Sequence, residues 1–103
     1  MSEWRPVAEL SAFAGTNMVP LRIGELRLLL YKTSSGLYAT ARRCTHQAAD
    51  LMRGYLDGDV IECPVHQGRF DIRTGKALSA PACEPLVTYE VRIVAERIEL
   101  KIS

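Results

Sequence analysis

The chain has 103 residues, of which 48% are hydrophobic, and its 13 Lys and Arg against 12 Asp and Glu leave a formal net charge of +1. That length fits one domain, residues 1–103, burying roughly 60–70% of the unfolded surface, with no room for a separate catalytic domain. The charge balance offers no basic field for nucleic acid, and no apolar run approaches secretory-signal or bilayer-spanning length, so neither nucleic acid nor membrane is an expected partner.

Read from the amino terminus, the only helical stretch on offer is short, around Leu10–Ala14, and leads into Gly15-Thr16-Asn17. Val19–Ile23 and Leu26–Lys32 flank Gly24-Glu25, a Gly-first pair suited to a type II′ hairpin turn. Within the second of these, Leu28-Leu29-Leu30-Tyr31 is the longest apolar candidate and reads as a buried strand. Leu37–Arg42 follows after Ser34-Ser35-Gly36. Asp57-Gly58 favours a type I′ turn between Tyr55-Leu56 and Val60-Ile61. Near the carboxy terminus Val87, Tyr89, Val91 and Ile93 alternate with polar residues, as do Ile98, Leu100 and Ile102, so a hairpin is expected with its connection at Val94-Ala95-Glu96. No strand–helix alternation or internal repeat competes with this pattern, and the predicted class is all-β, an antiparallel sandwich.

The chemistry is concentrated in Cys44-Thr45-His46 and Cys63-Pro64-Val65-His66, which use both histidines and two of the three cysteines. Cys44, His46, Cys63 and His66 are the candidate metal ligands. Two thiolates and two imidazoles suit a mixed-ligand [2Fe–2S] centre, in which His replaces Cys on one of the two irons. Structural zinc is the alternative, but a one-residue gap in Cys-x-His is tight for chelating a single ion, whereas in a two-iron cluster each Cys can reach one iron and each His the other. Cys83 has no obvious partner and reads as a small buried hydrophobe. Gly75-Lys76 lacks the flanking residues of a phosphate loop and reads as a turn, while Trp4, Tyr31, Tyr38 and Tyr89 read as packing residues. Asp50, Asp57, Asp59 and Glu62 lie among Arg42, Arg43, Arg53 and Arg69; these are read as solvated charges, with a docking patch among them as the alternative.

The two half-motifs, the stretch Gly54–Asp71, and Thr74-Gly75-Lys76-Ala77-Leu78 with Pro81 resemble the Rieske-type ferredoxins of bacterial aromatic-ring dioxygenase systems, such as those acting on naphthalene, biphenyl or carbazole. The likeness is strongest over residues 44–81. It implies a Rieske-type sandwich with an inserted cluster-binding subdomain at about 43–79, holding one [2Fe–2S] cluster with Cys44 and Cys63 on one iron and His46 and His66 on the other. It further implies a monomeric cytoplasmic electron carrier, not an enzyme, which passes single electrons from a flavin-dependent ferredoxin reductase to a terminal oxygenase. Partners are expected at the His46/His66 tip, bordered by Gln47, Val65, Gln67 and the Pro81 loop. A small Rieske subunit of a larger oxidoreductase and a zinc-stabilised interaction domain remain the alternatives. One departure and two contrasts with other Rieske proteins matter. Gln47 stands where these ferredoxins commonly carry Gly. Ala49 and Val65 occupy the positions that form a loop-tying disulfide in membrane-anchored relatives, which fits a reducing compartment. Gly68 and Phe70 replace the Ser and Tyr that donate hydrogen bonds to sulfur in high-potential members, so a low potential is expected.

Overall fold

A computed structural model of the chain describes residues 3–45, 49–65, 67–79 and 84–102. Ten antiparallel strands form two sheets. β1 (Glu3–Glu9), β10 (Arg97–Ile102), β9 (Thr88–Val94), β4 (Gly36–Ala41), β3 (Leu26–Thr33) and β2 (Met18–Ile23) lie in that spatial order in one sheet. β5 (Tyr55–Asp57), β6 (Val60–Glu62), β7 (Arg69–Asp71) and β8 (Ala77–Ser79) form the other. Single 3₁₀ turns cover Leu10–Phe13 and Leu51–Arg53. The described residues contain no α-helix, and no helix is long and apolar enough to cross a membrane.

The apolar run in β3 explains how the layers stack. Successive strand residues point to opposite faces, and here both faces are covered. Leu28 and Leu30 enter one core with Phe13, Ala39, Ile98 and Leu100, to which β1, β2 and β9 also contribute, so the six-stranded sheet folds over on itself. Leu29 and Tyr31 enter a second core with Leu51, Ile61, Phe70, Ile72 and Leu86, which joins β3 to the four-stranded sheet. Cys44 and Cys63 belong to this second core. Buried Tyr31 shares a 2.8 Å hydrogen bond with Thr40 Oγ1, and Thr40 donates to the Ala41 carbonyl at 2.7 Å, so the polar atoms beneath the core are matched.

The hairpins follow the sequence reading with three differences, one being that Val94 pairs with Arg97, so the β9–β10 loop is Ala95-Glu96 alone and not Val94-Ala95-Glu96. Gly24-Glu25 is the two-residue loop between Ile23 and Leu26, and only Gly24 takes positive φ (58°), as type II′ requires. The turn read at Asp57-Gly58 is displaced by one residue: Asp57 pairs with Val60, leaving Gly58-Asp59 as the loop. Gly58 alone has positive φ (58°), so the turn is of the Gly-first kind and not type I′. The physical reason is that Asp59 is held from outside the hairpin. Its carboxylate accepts from Thr33 Oγ1 (2.6 Å) and Ser35 Oγ (2.9 Å) at the β3–β4 turn, and its carbonyl accepts from Ile72 N (2.9 Å). The third difference concerns Val87, which precedes β9 and is exposed; its carbonyl accepts from Ala41 N at 2.9 Å.

Candidate metal centre

Both cysteine loops are built alike. Arg43 bridges to Asp50, and Glu62 pairs with Arg69 in the β6–β7 ladder. In each case the residue before the Cys faces the residue six after it. Each Cys amide then donates across the loop to the carbonyl five residues on: Cys44 N to Ala49 O at 3.0 Å, and Cys63 N to Gly68 O at 2.7 Å. Two hairpin loops of equal span thus carry one thiol each at the same register.

Charged pairs close the bases of the loops. Arg42 binds Asp50 through both Nε (2.8 Å) and Nη2 (2.7 Å), and Asp50 also caps the 3₁₀ turn by accepting from Met52 N at 2.9 Å. The bidentate guanidinium, the Met52 amide and nearby Arg53 hold the Asp50 carboxyl below the usual range, against a smaller opposing effect of burial. At the second loop, Arg69 Nε donates to Glu62 at 3.0 Å. Thr45, between Cys44 and His46, donates to the Glu84 carbonyl at 2.8 Å and so ties the first loop to the segment entering β9. Glycine makes close approaches possible at two places: a Cβ on Gly54 would collide with the Glu62 carbonyl oxygen, and one on Gly75 (φ 82°) with that of Leu86.

The thiols themselves are buried, Cys44 at 4% exposure and Cys63 at 1%, and they lie within hydrogen-bond reach of each other. Burial, and then the neighbouring Cys44, push the Cys63 thiol up, partly offset by the Val65 amide, which donates toward its sulfur. Two thiols facing each other in an apolar wall are chemically quiet as SH groups. A metal that displaces their protons converts them into adjacent anionic ligands already aimed at one point.

The donor set can therefore be tested against the cofactor. Among the described residues no group of three His, Cys, Asp or Glu side chains comes together, so the two thiols stand without a carboxylate that could complete a mononuclear site. His46 and His66 lie outside the described residues, as do Gln47, Pro81 and Cys83. Two paired thiols with a histidine two or three residues farther along each loop fit a binuclear centre whose irons differ in ligand type. Val65 and Gln67, on either side of His66, are exposed, and Gln67 takes positive φ (58°). Phe70 is fully buried in the wall that holds the thiols, and Gly68 is buried at the loop base.

The cross-loop hydrogen bonds, the Arg42–Asp50 pair and the Thr45 tether were not among the residues singled out by motif reading as holding the site. One signal was present: Cys44 to Asp50 and Cys63 to Arg69 have the same six-residue spacing, each with an opposite charge before the Cys.

Comparison with known proteins agrees with this geometry. The Rieske [2Fe-2S] domain family matches residues 3–90. The ferredoxin component of the naphthalene 1,2-dioxygenase/salicylate 5-hydroxylase systems of a Ralstonia species is 40% identical over 100 residues, covering 97% of this chain and 96% of the relative. Among solved structures, the complex of reduced oxygenase and oxidized ferredoxin in carbazole 1,9a-dioxygenase contains a similar chain (TM-score 0.85, 36% identity, 95% of this chain and 92% of that one). The ferredoxin of Sphingomonas yanoikuyae B1 is also similar (TM-score 0.87, 30% identity, 98% and 100% coverage).

Proposed function

This chain belongs to the Rieske [2Fe–2S] domain family, and we propose that it is the ferredoxin component of an aromatic-ring dioxygenase system, a one-electron carrier and not itself an enzyme. The observation that carries this reading is the pair of buried, facing thiols on two equivalent loops, set in a chain that is 40% identical to a dioxygenase ferredoxin over almost its full length. When bound, a Rieske cluster takes up and releases one electron at its histidine-ligated iron.

The chain's own residues set the conditions for that exchange. Cys44 and Cys63 would hold one iron and His46 and His66 the other, with residues 43–79 as the cluster-binding subdomain. Neutral imidazoles in place of two thiolates remove negative charge and make reduction easier. The Cys44 and Cys63 amides, by closing their loops, keep the thiols in place whichever charge the cluster carries. Electrons arrive from a flavin-dependent reductase and leave to a terminal oxygenase at the tip bearing His46 and His66, with Val65, Gln67 and the Pro81 loop at its border. Such an interface is small and transient. The absence of cysteine at Ala49 and Val65 suits a cytoplasmic setting, where a loop-tying disulfide would not persist.

The test is reconstitution. The purified protein should be brown, contain two irons and two acid-labile sulfides per chain, accept one electron from its reductase and deliver it to its oxygenase. A colourless protein carrying stoichiometric zinc would instead establish the structural-metal alternative.

A further inference from the structure

Five of the chain's thirteen basic residues gather on one flank of the first cysteine loop. Arg22 and Arg27 are direct cross-strand partners in β2 and β3. Arg42 continues the row opposite Arg27, its amide donating to the Arg27 carbonyl at 3.1 Å. The Arg22 and Arg27 side chains leave the same face of the sheet, since partners across a ladder point the same way. Arg43 follows in the loop base, and Arg53 stands close enough to act on Asp50. An open groove of about 520 Å³ runs among Leu26, Arg27, Arg42, Arg43 and Ala49 beside the loop.

Acidic residues do not neutralise this flank. All twelve Asp and Glu of the chain fall within the described residues. Asp50 and Glu25 also line the groove, but Asp50 is engaged by Arg42. Arg22 donates only to the Gly24 carbonyl (2.9 Å), and Arg22, Arg27, Arg43 and Arg53 enter none of the ion pairs among the described residues. Like charges set directly opposite one another across a ladder are unfavourable for the isolated chain. Because the whole chain is only +1, this concentration leaves the remaining surface with an acidic excess, and the molecule is electrically lopsided about its cluster loops.

We propose that Arg22 and Arg27, with Arg43 and Arg53 beside them, dock a carboxylate-rich rim of the terminal oxygenase while the cluster tip meets its redox centre. This rests on the reading above, in which the electron is delivered to an oxygenase. Reductase and oxygenase must share one small tip in turn, so a contact that distinguishes them has to lie off the tip. This flank lies at the base of the first cysteine loop and carries the charge, and a similar ferredoxin chain is seen in complex with its oxygenase. Opposite charge across such a rim acts chiefly on the rate and orientation of encounter, and salt screens it.

The test uses the cluster-loaded protein with its reductase and its oxygenase in stopped-flow mixing over a range of ionic strength. Arg27→Glu and the double variant Arg27→Glu/Arg53→Glu are compared with Arg97→Glu, which makes the same charge change as the single variant at the β9–β10 turn; Arg27→Gln serves if reversal impairs folding. The cluster spectrum is read first in every variant. Expected is a drop of about tenfold in the second-order rate to the oxygenase at low salt for the double variant, shrinking toward wild type at high salt, with reduction by the reductase unchanged. Wild-type delivery with Arg27→Glu and the double variant unaffected at every salt would overturn the docking surface alone. Equal slowing of both half-reactions would overturn its assignment to the oxygenase, and equal slowing by Arg97→Glu would overturn the docking surface itself. A wild-type protein that never reduces the oxygenase would overturn the function and the docking surface together.

Discussion

Phe70 shows how a single side chain bears on the redox chemistry. It is fully buried in the same wall as Cys44 and Cys63, and it ends in C–H where high-potential relatives present a phenol. A hydrogen bond to a cluster or cysteine sulfur favours the more negative reduced state, so lacking one should place the midpoint near the low end of the roughly −150 to +300 mV Rieske range. Phe70→Tyr should raise the midpoint by roughly 45 mV, which is one hydrogen bond of about 1 kcal/mol expressed for one electron. Protein-film voltammetry reads this directly, and an unchanged midpoint with an intact cluster would remove Phe70 from the explanation. Ligand identity is tested in the same variant set. Replacing Cys44, His46, Cys63 or His66 by Ser or Ala should abolish iron and sulfide binding, whereas Cys83→Ser should retain both; loss in Cys83→Ser would overturn the ligand assignment.

Turns and strands show where the sequence was readable. The strands that alternate cleanly or hold a long apolar run, β2, β3, β4, β9 and β10, stand where periodicity puts them, as does the first 3₁₀ turn at Leu10–Phe13, whereas the second, at Leu51–Arg53, is too short to show a period. β1 was not read because Pro6 and the register shift between Pro6 and Ala8 break its alternation, and β7 and β8 have only three residues each, too few to show a period. The Cys/His pairs stand out as candidate metal ligands because their chemistry is local. The Thr45–Glu84 tether and the Asp59 link to Thr33 and Ser35 were not, because they join residues 39, 26 and 24 positions apart. The β9–β10 hairpin has a two-residue loop in which Ala95 and Glu96 both take positive φ (51° and 66°), the type I′ form, without the Gly or Asn that normally relieves it. Glu96→Gly should therefore stabilise the fold by about 1 kcal/mol. Gly75→Ala should cost roughly 2–4 kcal/mol through positive φ and collision with Leu86; urea unfolding checks both. Asp59 has its own pH signature. Hydrogen bonds from Thr33 and then Ser35, helped by Arg73, lower its carboxyl, so the folded state favours the ionised form. That contribution is complete above the ordinary carboxylate range and fades as pH falls through the depressed folded value. Asp59→Asn should accordingly be less stable than wild type at neutral pH, and the gap should narrow in acid; a pH-independent gap would contradict the link.

At the scale of the molecule, the fold gives two unequal ends. The β3–β4 and β5–β6 turns are joined at one place by Asp59, with Arg73 3.8 Å from its carboxylate and bound to Asp71 at 2.9 Å. The two cysteine loops meet elsewhere, as equal hairpins on a common apolar core. A domain with one cluster, whose second cysteine loop exposes Val65 and Gln67, suits a carrier that meets its partners in sequence. A bulky charged substitution at Val65 or Gln67, both exposed beside His66, should slow both reduction and delivery, while Arg97→Glu should leave both near wild type. All of this depends on a cluster held by two thiols and two imidazoles. Pulsed EPR of the dithionite-reduced protein tests that ligand set most directly, because nitrogen bound to iron couples to the unpaired electron. Two imidazole ligands predict one reduced [2Fe–2S] signal per chain with coupling to two distinct nitrogens of imidazole character. A cluster signal without such nitrogen coupling, or no cluster signal from protein that binds zinc, would contradict it.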